Sequence, residues 1–257
     1  FLIAGLTTTS PHDAYSQEQA TTESASSVDE DKKPKEKARK SYLGRVVAKP
    51  MSHLGASWLI RPERDQEENA SESFTKLGLE PGMVLCDLGC GNGYWTLPMA
   101  RKVGDEGAVY AVDIQPEMLL KLRQRASQFG LTNVRPVQGK VDDPNLPVGE
   151  IDLLLMVDVY HEFSHPQSML WSIRRSLKPK GVVALLEYRE EDPSVPIKPL
   201  HKMSKRQIMK EYEANGFQLV RLSILHDLDQ YSILAVDQFT AIDVLINSRS
   251  RMVDLVA

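Results

Sequence analysis

Several features are scarce in this sequence, and each scarcity excludes a class of protein. Two cysteines among 257 residues cannot build a disulfide scaffold or supply the four ligands of a cysteine zinc site. No apolar run approaches the ~20 residues that a membrane-spanning helix needs. The formal net charge is -4, so there is no overall basic field for nucleic acid. What remains is a globular enzyme or binding domain, long enough for one large domain or two small ones.

The N-terminal part of the chain contains little that could form a core. Residues 7–40 are rich in Ser, Thr, Gln, Glu and Lys, which predicts a disordered tail over residues 1–41. The basic cluster at 32–40 could touch anionic lipid or nucleic acid, although such a run is more often a solvated linker. The apolar residues 1–6 could be the end of a secretory signal or a few stray apolar residues. We therefore expect a cytoplasmic protein, or an exported one if residues 1–6 end a signal peptide.

From residue 82 onward, short apolar runs alternate with segments of helical pattern. The runs predict strands and the segments between them predict helices. The expected strands are 83–88, 108–113, 133–138, 151–157 and 181–188, followed by a hairpin of 217–225 and 231–237; the expected helices are 94–102, 116–129, 166–177 and 204–215. This order predicts an α/β protein with a Rossmann-like, doubly wound sheet, mostly parallel with a C-terminal antiparallel hairpin. Such sheets bind ligands at the carboxyl ends of their strands.

A glycine-rich turn (DLGCGNG, 87–93) joins the first of these strands to the first helix. Glycines let the backbone turn tightly and approach a ligand closely, and the N–H groups at a helix start favour a negative group. The spacing is G-x-G-x-G, with Tyr94 where a dinucleotide fingerprint has its last glycine, so a pyrophosphate ligand is disfavoured. Asp113 ends the second strand, where an acid can accept hydrogen bonds from both ribose hydroxyls of a nucleoside.

These residues resemble the cofactor motifs of class I S-adenosylmethionine-dependent methyltransferases. The resemblance rests on VLCDLGCGNG at 84–93 and VYAVD at 109–113 and covers residues 78–237. It implies the seven-stranded fold of that class, with S-adenosyl-L-methionine as co-substrate. By this resemblance the glycines surround the methionine part, Asp87 faces its amino group, and Asp113 holds the ribose. The full set of implied cofactor-binding residues is Asp87, Gly89, Cys90, Gly91, Gly93, Asp113, Ile114, Gln115, Asp142 and Asp158.

Residues 157–165 (VDVYHEFSH) bring titratable groups to the same edge of the sheet. Methyl transfer needs an aligned nucleophile and sometimes a base for the acceptor's proton. His161 and Glu162 are the candidates, with Tyr160 beside them; alternatively, Tyr160 and His161 pack against the cofactor and Glu162 caps a turn. The stretch resembles the V-x-H-H segment of small-molecule methyltransferases, and together with the N-terminal segment and the loop after the fifth strand it resembles an uncharacterised bacterial subgroup. It lacks the Asn/Asp-Pro-Pro-Tyr signature of enzymes that methylate nucleic-acid amines, so we expect a small-molecule substrate and no nucleic acid.

Two further segments flank the expected site. Residues 42–70 are predicted to form a lid, with Trp58 and Arg61 facing the acceptor; alternatively, Trp58 packs on the sheet and Arg61 pairs with a nearby Glu. Lys198 and His201, in the loop after the fifth strand, could bind an acidic acceptor or be ordinary solvated residues. The methyltransferase domain is expected at 71–238, and a C-terminal helical extension at 239–257.

Other features leave alternatives open. No metal site is expected, since the pair Cys86 and Cys90 is unsuited to metal binding. No integral membrane association is expected, and the oligomeric state stays open. The rival functions are a nicotinamide-dependent oxidoreductase on a similar sheet and a non-catalytic protein that binds S-adenosylmethionine.

Overall fold

The computed structural model describes residues 32–68, 70–191, 193, 197–224 and 230–237. Most of the expected tail and the whole of the helical extension expected at 239–257 lie outside these residues. The described chain begins with short elements, in this order: strands β1 (Ser41–Tyr42) and β2 (Arg45–Val46), 3₁₀ turns at His53–Gly55 and Trp58–Ile60, and helices α1 (Arg64–Glu68) and α2 (Ala70–Lys76). β1 and β2 pair as a small antiparallel ribbon.

A seven-stranded sheet follows, with helices in its connections. In chain order the elements are β3 (Val84–Leu88), α3 (Thr96–Val103), β4 (Ala108–Asp113), α4 (Pro116–Gln128), β5 (Val134–Gln138), β6 (Ile151–Val157), α5 (Pro166–Ser176), β7 (Leu177–Tyr188), α6 (Lys205–Ala214), β8 (Phe217–Ile224) and β9 (Gln230–Asp237). The spatial order is β5-β4-β3-β6-β7-β9-β8. Strands β3 to β7 are parallel, and β9 is antiparallel to both of its neighbours. The predicted α/β class and its antiparallel hairpin are confirmed.

The central strand β6 shows why this sequence forms a sheet covered on both faces. Along it, only Asp152 is not buried, as expected of a parallel strand between two helical layers. Its side chains alternate between two cores: Leu154 and Met156 pack with α5 residues, whereas Leu153 and Leu155 pack with α3 residues. Strand β5 lies at the edge of the sheet, and it contains Pro136, a residue that a central strand would not tolerate.

The helix boundaries follow local sequence signals. Helix α4 begins with Pro116 at its first turn and is followed by Gly130 at φ +66°, the usual asymmetry of proline before and glycine after a helix. Ser204 caps α6 by accepting a hydrogen bond from the Gln207 N–H. Strand β7 starts at Leu177 rather than at the predicted residue 181, because Leu177 already pairs with Ile151.

Residues 33–40 contact the sheet domain, although composition predicted a tail up to residue 41. The Arg39 N–H donates to the Ser164 carbonyl (2.8 Å), and Lys33 Nζ donates to Asp143 Oδ2 (2.7 Å). The buried carboxylate of Glu36 accepts the Ser168 N–H (3.0 Å) in the first turn of α5, which satisfies a helix-start donor. Lys33 and Glu36 therefore have partners on the domain. Among the described residues, no helix is long and apolar enough to span a membrane.

Candidate active site

The glycine loop after β3 requires glycine for both conformation and space. Gly89, Gly91 and Gly93 have φ values of +78°, +53° and +88°, which L side chains rarely adopt. A Cβ atom at Gly89 would lie 2.3 Å from Val159 Cγ2, and one at Gly93 would lie 2.3 Å from Leu122 Cδ1. The loop therefore has no room for side chains at these positions, because neighbouring side chains already occupy the space.

Two carboxylates flank this loop. Asp87 accepts a hydrogen bond from Thr96 Oγ1 (2.5 Å). Burial raises the pKa of Asp87 to about 6, although the Thr96 hydrogen bond and the charge of Arg64 act to lower it. Asp113 accepts the Gly91 N–H at Oδ2 (3.0 Å) and the Gln115 N–H at Oδ1 (2.8 Å). The acid that ends β4 thus contacts the glycine loop directly, as the pairing of β3 with β4 allows. Burial also raises the pKa of Asp113.

The other residues of the implied cofactor set have different surroundings. The side chain of Cys90 is buried in a core cluster with Leu97 and Leu122. Ile114 is 38% exposed. Gln115 is bonded to the N-terminal segment, since its Oε1 accepts the His53 N–H (2.8 Å) and its Nε2 donates to the Met51 carbonyl (2.8 Å). Asp142 lies 3.7 Å from Lys33 Nζ.

Residues 51–68 lie against the glycine loop and its neighbours. Asn92 Nδ2 donates to the Ala56 carbonyl (2.7 Å), and Leu59 Cδ1 lies 2.6 Å from the position that a Cβ of Gly91 would take. The Arg64 guanidinium lies 4.2 Å from the centre of the Tyr94 ring. The segment expected to form a lid therefore contacts the loop at Ala56 and Leu59 and the residue after it at Arg64.

A buried ion pair in this segment, between Arg64 and Glu68, lies near the end of β6. Arg64 Nε donates to Glu68 Oε2 (2.7 Å), and the Tyr188 hydroxyl contacts Glu68 Oε1 (3.3 Å). Asp158 has φ +55° and lies half-buried near them; desolvation raises its pKa well above the usual value, with further contributions from the charges of Glu68 and Glu187. The sequence analysis missed Arg64 and Glu68, although their spacing of four residues on a helix is a recognisable ion-pair signal.

Trp58 and Arg61 contact each other. The Arg61 guanidinium lies 3.7 Å from the centre of the Trp58 ring, and Arg61 Nη1 donates to the Trp58 carbonyl (2.9 Å). Arg61 Nη2 is also 3.7 Å from Glu68 Oε1, which agrees with the alternative of a nearby Glu partner. Trp58 stays 48% exposed.

At the other end of the site, a row of three side chains links Glu187, His161 and His201. Glu187 Oε2 lies 2.7 Å from His161 Nδ1, and His161 Nε2 lies 3.0 Å from His201 Nδ1. Glu187 Oε1 also accepts the Tyr160 N–H (2.9 Å). Burial disfavours the charged imidazole, but the Glu187 carboxylate outweighs this and raises the pKa of His161. Glu162 Oε1 lies 4.0 Å from His161 Nε2.

Tyr160 points away from this row. Its side chain is fully buried, and its hydroxyl donates to Glu211 Oε2 (2.8 Å). Arg45 holds the same carboxylate with two hydrogen bonds of 2.8 and 2.9 Å, and its Nη1 donates to the His161 carbonyl (2.9 Å). The expected catalytic position for Tyr160 is corrected accordingly: its hydroxyl is bonded within the core.

The structure also brings together residues that the sequence analysis left apart or missed. His201, expected as a substrate residue, lies beside His161, expected as a catalytic one. Lys198 is exposed. Arg45 and Glu211 are 166 positions apart in the chain, so no local pattern could have paired them.

The sheet order with one reversed strand, the glycine loop after β3 and the acid at the end of β4 define a class I methyltransferase fold. A family profile described as a methyltransferase domain matches residues 79–236. Since this match spans more than half of the chain, the chain belongs to that methyltransferase family, as the resemblance in its motifs implied.

Individual relatives agree with this assignment. The ubiquinone/menaquinone biosynthesis C-methyltransferase UbiE of Shewanella oneidensis is 28% identical over 187 residues, which cover 69% of this chain and 70% of UbiE. The aklanonic acid methyltransferase DauC of Streptomyces sp. strain C5 is 35% identical over 92 residues, covering 33% of this chain and 42% of DauC; the chain thus matches less than half of DauC. The crystal structure of a SAM-dependent methyltransferase from Aquifex aeolicus shares the fold, with a TM-score of 0.68, 24% identity and coverage of 72% and 98% of the two chains.

Proposed function

We propose that this protein transfers a methyl group from S-adenosylmethionine to a small-molecule acceptor and releases S-adenosylhomocysteine. The observation that carries the proposal is the arrangement at one sheet edge. There, a glycine loop held by Asp113 lies beside the buried carboxylate of Asp87. The row Glu187–His161–His201 lies at the ends of β6 and β7 on the same edge. The relatives support the acceptor class, because the names of UbiE and DauC specify small organic substrates.

The residues of the site fit S-adenosylmethionine. The ligand is cationic at its amino group and its sulfonium, and buried carboxylates are stabilised by a nearby positive charge. Asp87 would receive the amino group, and both oxygens of Asp113 are hydrogen-bond acceptors suited to two ribose hydroxyls. When bound, S-adenosylmethionine supplies an activated methyl group on sulfur.

We propose that the acceptor lies on the side of His161, Glu162 and His201. Glu187 fixes the ring of His161 and directs Nε2 toward the other two side chains. Tyr160 is not included, because its hydroxyl is bonded to Glu211. The role of these groups is to hold and orient the acceptor's nucleophilic atom, since in-line displacement depends on alignment.

The segment 42–70 serves, in this proposal, as a lid over the cofactor side. Asn92, Gln115 and Tyr94 each contact it, so binding of the co-substrate would require some of these contacts to rearrange. A closed lid excludes water from the reacting groups. A cytoplasmic location, the absence of a nucleic-acid partner, and the domain limits at 71–238 stay predictions from the sequence.

Calorimetry with S-adenosylmethionine tests the cofactor site. Asp113→Ala should abolish measurable binding, because it removes both carboxylate oxygens at the loop. The exposed Asp105, changed to Ala, is the matched control and should bind like the wild type. Unchanged affinity of Asp113→Ala would refute the site assignment.

The rival functions need separate measurements. Thermal shifts with NAD and with S-adenosylmethionine distinguish a nicotinamide oxidoreductase from a methyltransferase. Labelled S-adenosylmethionine, incubated with the protein and fractionated cell extract, should yield a labelled small product. If binding occurs but no fraction is labelled, the protein is a non-catalytic S-adenosylmethionine-binding protein.

A further inference from the structure

We propose that His161, Glu162 and His201 form a binding site for a divalent transition metal. Each residue offers one ligand atom, and the three atoms lie within 4.8 Å of one another. Two imidazoles and one carboxylate are a donor set that zinc and non-haem iron sites use. No sequence pattern indicates this site, because its third ligand comes from a different loop, forty positions further along the chain.

The spacing of the two imidazole nitrogens suits a shared metal ion. His161 Nε2 and His201 Nδ1 are 3.0 Å apart. Two nitrogens bound to one ion at about 2.1 Å lie about 3.0–3.4 Å apart in octahedral or tetrahedral geometry. The two rings are nearly perpendicular, at 78°. Glu162 Oε1, 4.0 Å from His161 Nε2, closes the third side after a small rotation of its partly exposed side chain.

Glu187 supports the site as an outer carboxylate. Its Oε2 accepts the proton of His161 Nδ1 at 2.7 Å, which leaves the lone pair on Nε2 directed at the site. A carboxylate in this position fixes the tautomer and the ring orientation of a metal-bound histidine. Glu187 is fully buried and also holds the backbone of Tyr160, so the ligand is oriented before any metal binds.

The backbone of His161 is held as firmly as its ring. Its carbonyl accepts hydrogen bonds from Arg45 Nη1 (2.9 Å) and from the Ala48 N–H (3.0 Å). In the metal-free state, the nitrogens of His161 and His201 share a hydrogen bond; in the bound state both become ligands. The site therefore needs little rearrangement to bind an ion.

The donor set favours particular ions. Imidazole suits Zn²⁺ and Fe²⁺, whereas Mg²⁺ and Ca²⁺ prefer oxygen ligands. Three protein ligands leave at least one position open. Because the cluster follows β6 and β7 at the edge that carries the glycine loop, an oxygen atom of the acceptor could take that position; this role, unlike the site itself, rests on the proposed function.

Zinc binding to the untagged full-length chain tests the proposal. After treatment with a chelator, the protein is titrated calorimetrically with Zn²⁺ and separately with Mg²⁺. We expect one Zn²⁺ per chain and no comparable heat from Mg²⁺. His201→Ala and Glu162→Gln should each weaken Zn²⁺ binding by at least about 10–100-fold, because that range is typical of changes to outer-shell partners and a lost ligand costs no less. His165→Ala is the matched control, because His165 bonds to Ser164 outside the cluster, and it should bind Zn²⁺ normally.

Cobalt(II) provides a second readout that does not depend on activity. Bound Co²⁺ should give visible absorption bands in the wild type, and His201→Ala should lose them. S-adenosylmethionine binding, measured on every variant, reports whether the variant is folded. A wild type that binds S-adenosylmethionine but not Zn²⁺, or a His201→Ala variant with unchanged Zn²⁺ affinity, refutes the metal site alone. A wild type that binds Zn²⁺ but not S-adenosylmethionine refutes the proposed function and supports the metal site.

Discussion

Replacing Asp87 by Asn should stabilise the free protein and weaken its binding of S-adenosylmethionine. Asp87 is 3% exposed, and burial raises its pKa from 3.8 to about 6. A carboxyl group whose pKa is higher in the folded state destabilises the fold once it is ionised. The difference corresponds to about 3 kcal/mol at neutral pH. Asn removes the charge and keeps an oxygen that can accept the Thr96 hydroxyl.

The dependence on pH gives the sign of the effect. Below pH 3.8, Asp87 is protonated in both the folded and the unfolded chain, so its burial carries no charge penalty and the stability of the fold is at its full value. Between about pH 3.8 and 6 the unfolded chain releases this proton while the folded chain retains it, so stability falls as pH rises through this range. The advantage of Asp87→Asn over the wild type should therefore be small at low pH, grow up to about pH 6 and stay constant above it.

Urea unfolding over this range of pH measures the free energy of unfolding. The matched control is Asp105→Asn on the exposed turn before β4, which should change stability by no more than about 0.5 kcal/mol. Calorimetry then measures S-adenosylmethionine binding above the pKa of Asp87. Loss of a charge-assisted hydrogen bond to the amino group should weaken binding by about 1.5–3 kcal/mol, or about 10–150-fold.

Two results would refute the reasoning. If Asp87→Asn is less stable than the wild type above pH 6, or if the difference does not change with pH, the carboxylate is not a costly buried charge. If stability rises but S-adenosylmethionine affinity is unchanged, Asp87 does not contact the ligand. The expected combination is a gain in stability with a loss in binding.

Two further substitutions test the glycine loop and the buried ion pair of Arg45 with Glu211. Gly93→Ala should destabilise the protein by about 2–4 kcal/mol in urea unfolding, because its Cβ would lie 2.3 Å from Leu122 Cδ1 at a φ of +88°. Gly78→Ala is the control for the positive φ alone, because nothing lies within 4 Å of its Cβ position. An equal loss of stability in both variants would contradict the packing argument. Arg45→Met should lower the free energy of unfolding by about 3–5 kcal/mol, because it leaves the buried carboxylate of Glu211 without its cation. Adding Glu211→Gln should recover part of this loss of stability. If the effects of the two changes simply add, Arg45 and Glu211 are not coupled.

Much of the fold could be predicted because its signals are local. Apolar runs, the proline before α4 and the glycine after it depend only on neighbouring residues, and so do the glycines that need positive φ. The pairing of β3 with β4 follows from a short crossover, which is why Asp113 could be assigned to the loop from sequence. The boundary at residue 42 was less predictable, because composition does not show that Glu36 would meet the start of α5.

The sequence by itself determined the class of fold, the glycine loop and the position of the acid beside it, since short-range patterns encode them. Only the tertiary structure decided the rest of the site. The row Glu187–His161–His201 and the clamp of Arg45 on Glu211 join residues that are distant in the chain. Their contacts exist because parallel strands end at one edge and because the N-terminal segment folds back over it. Such pairings depend on where the chain passes in three dimensions, which no periodicity records.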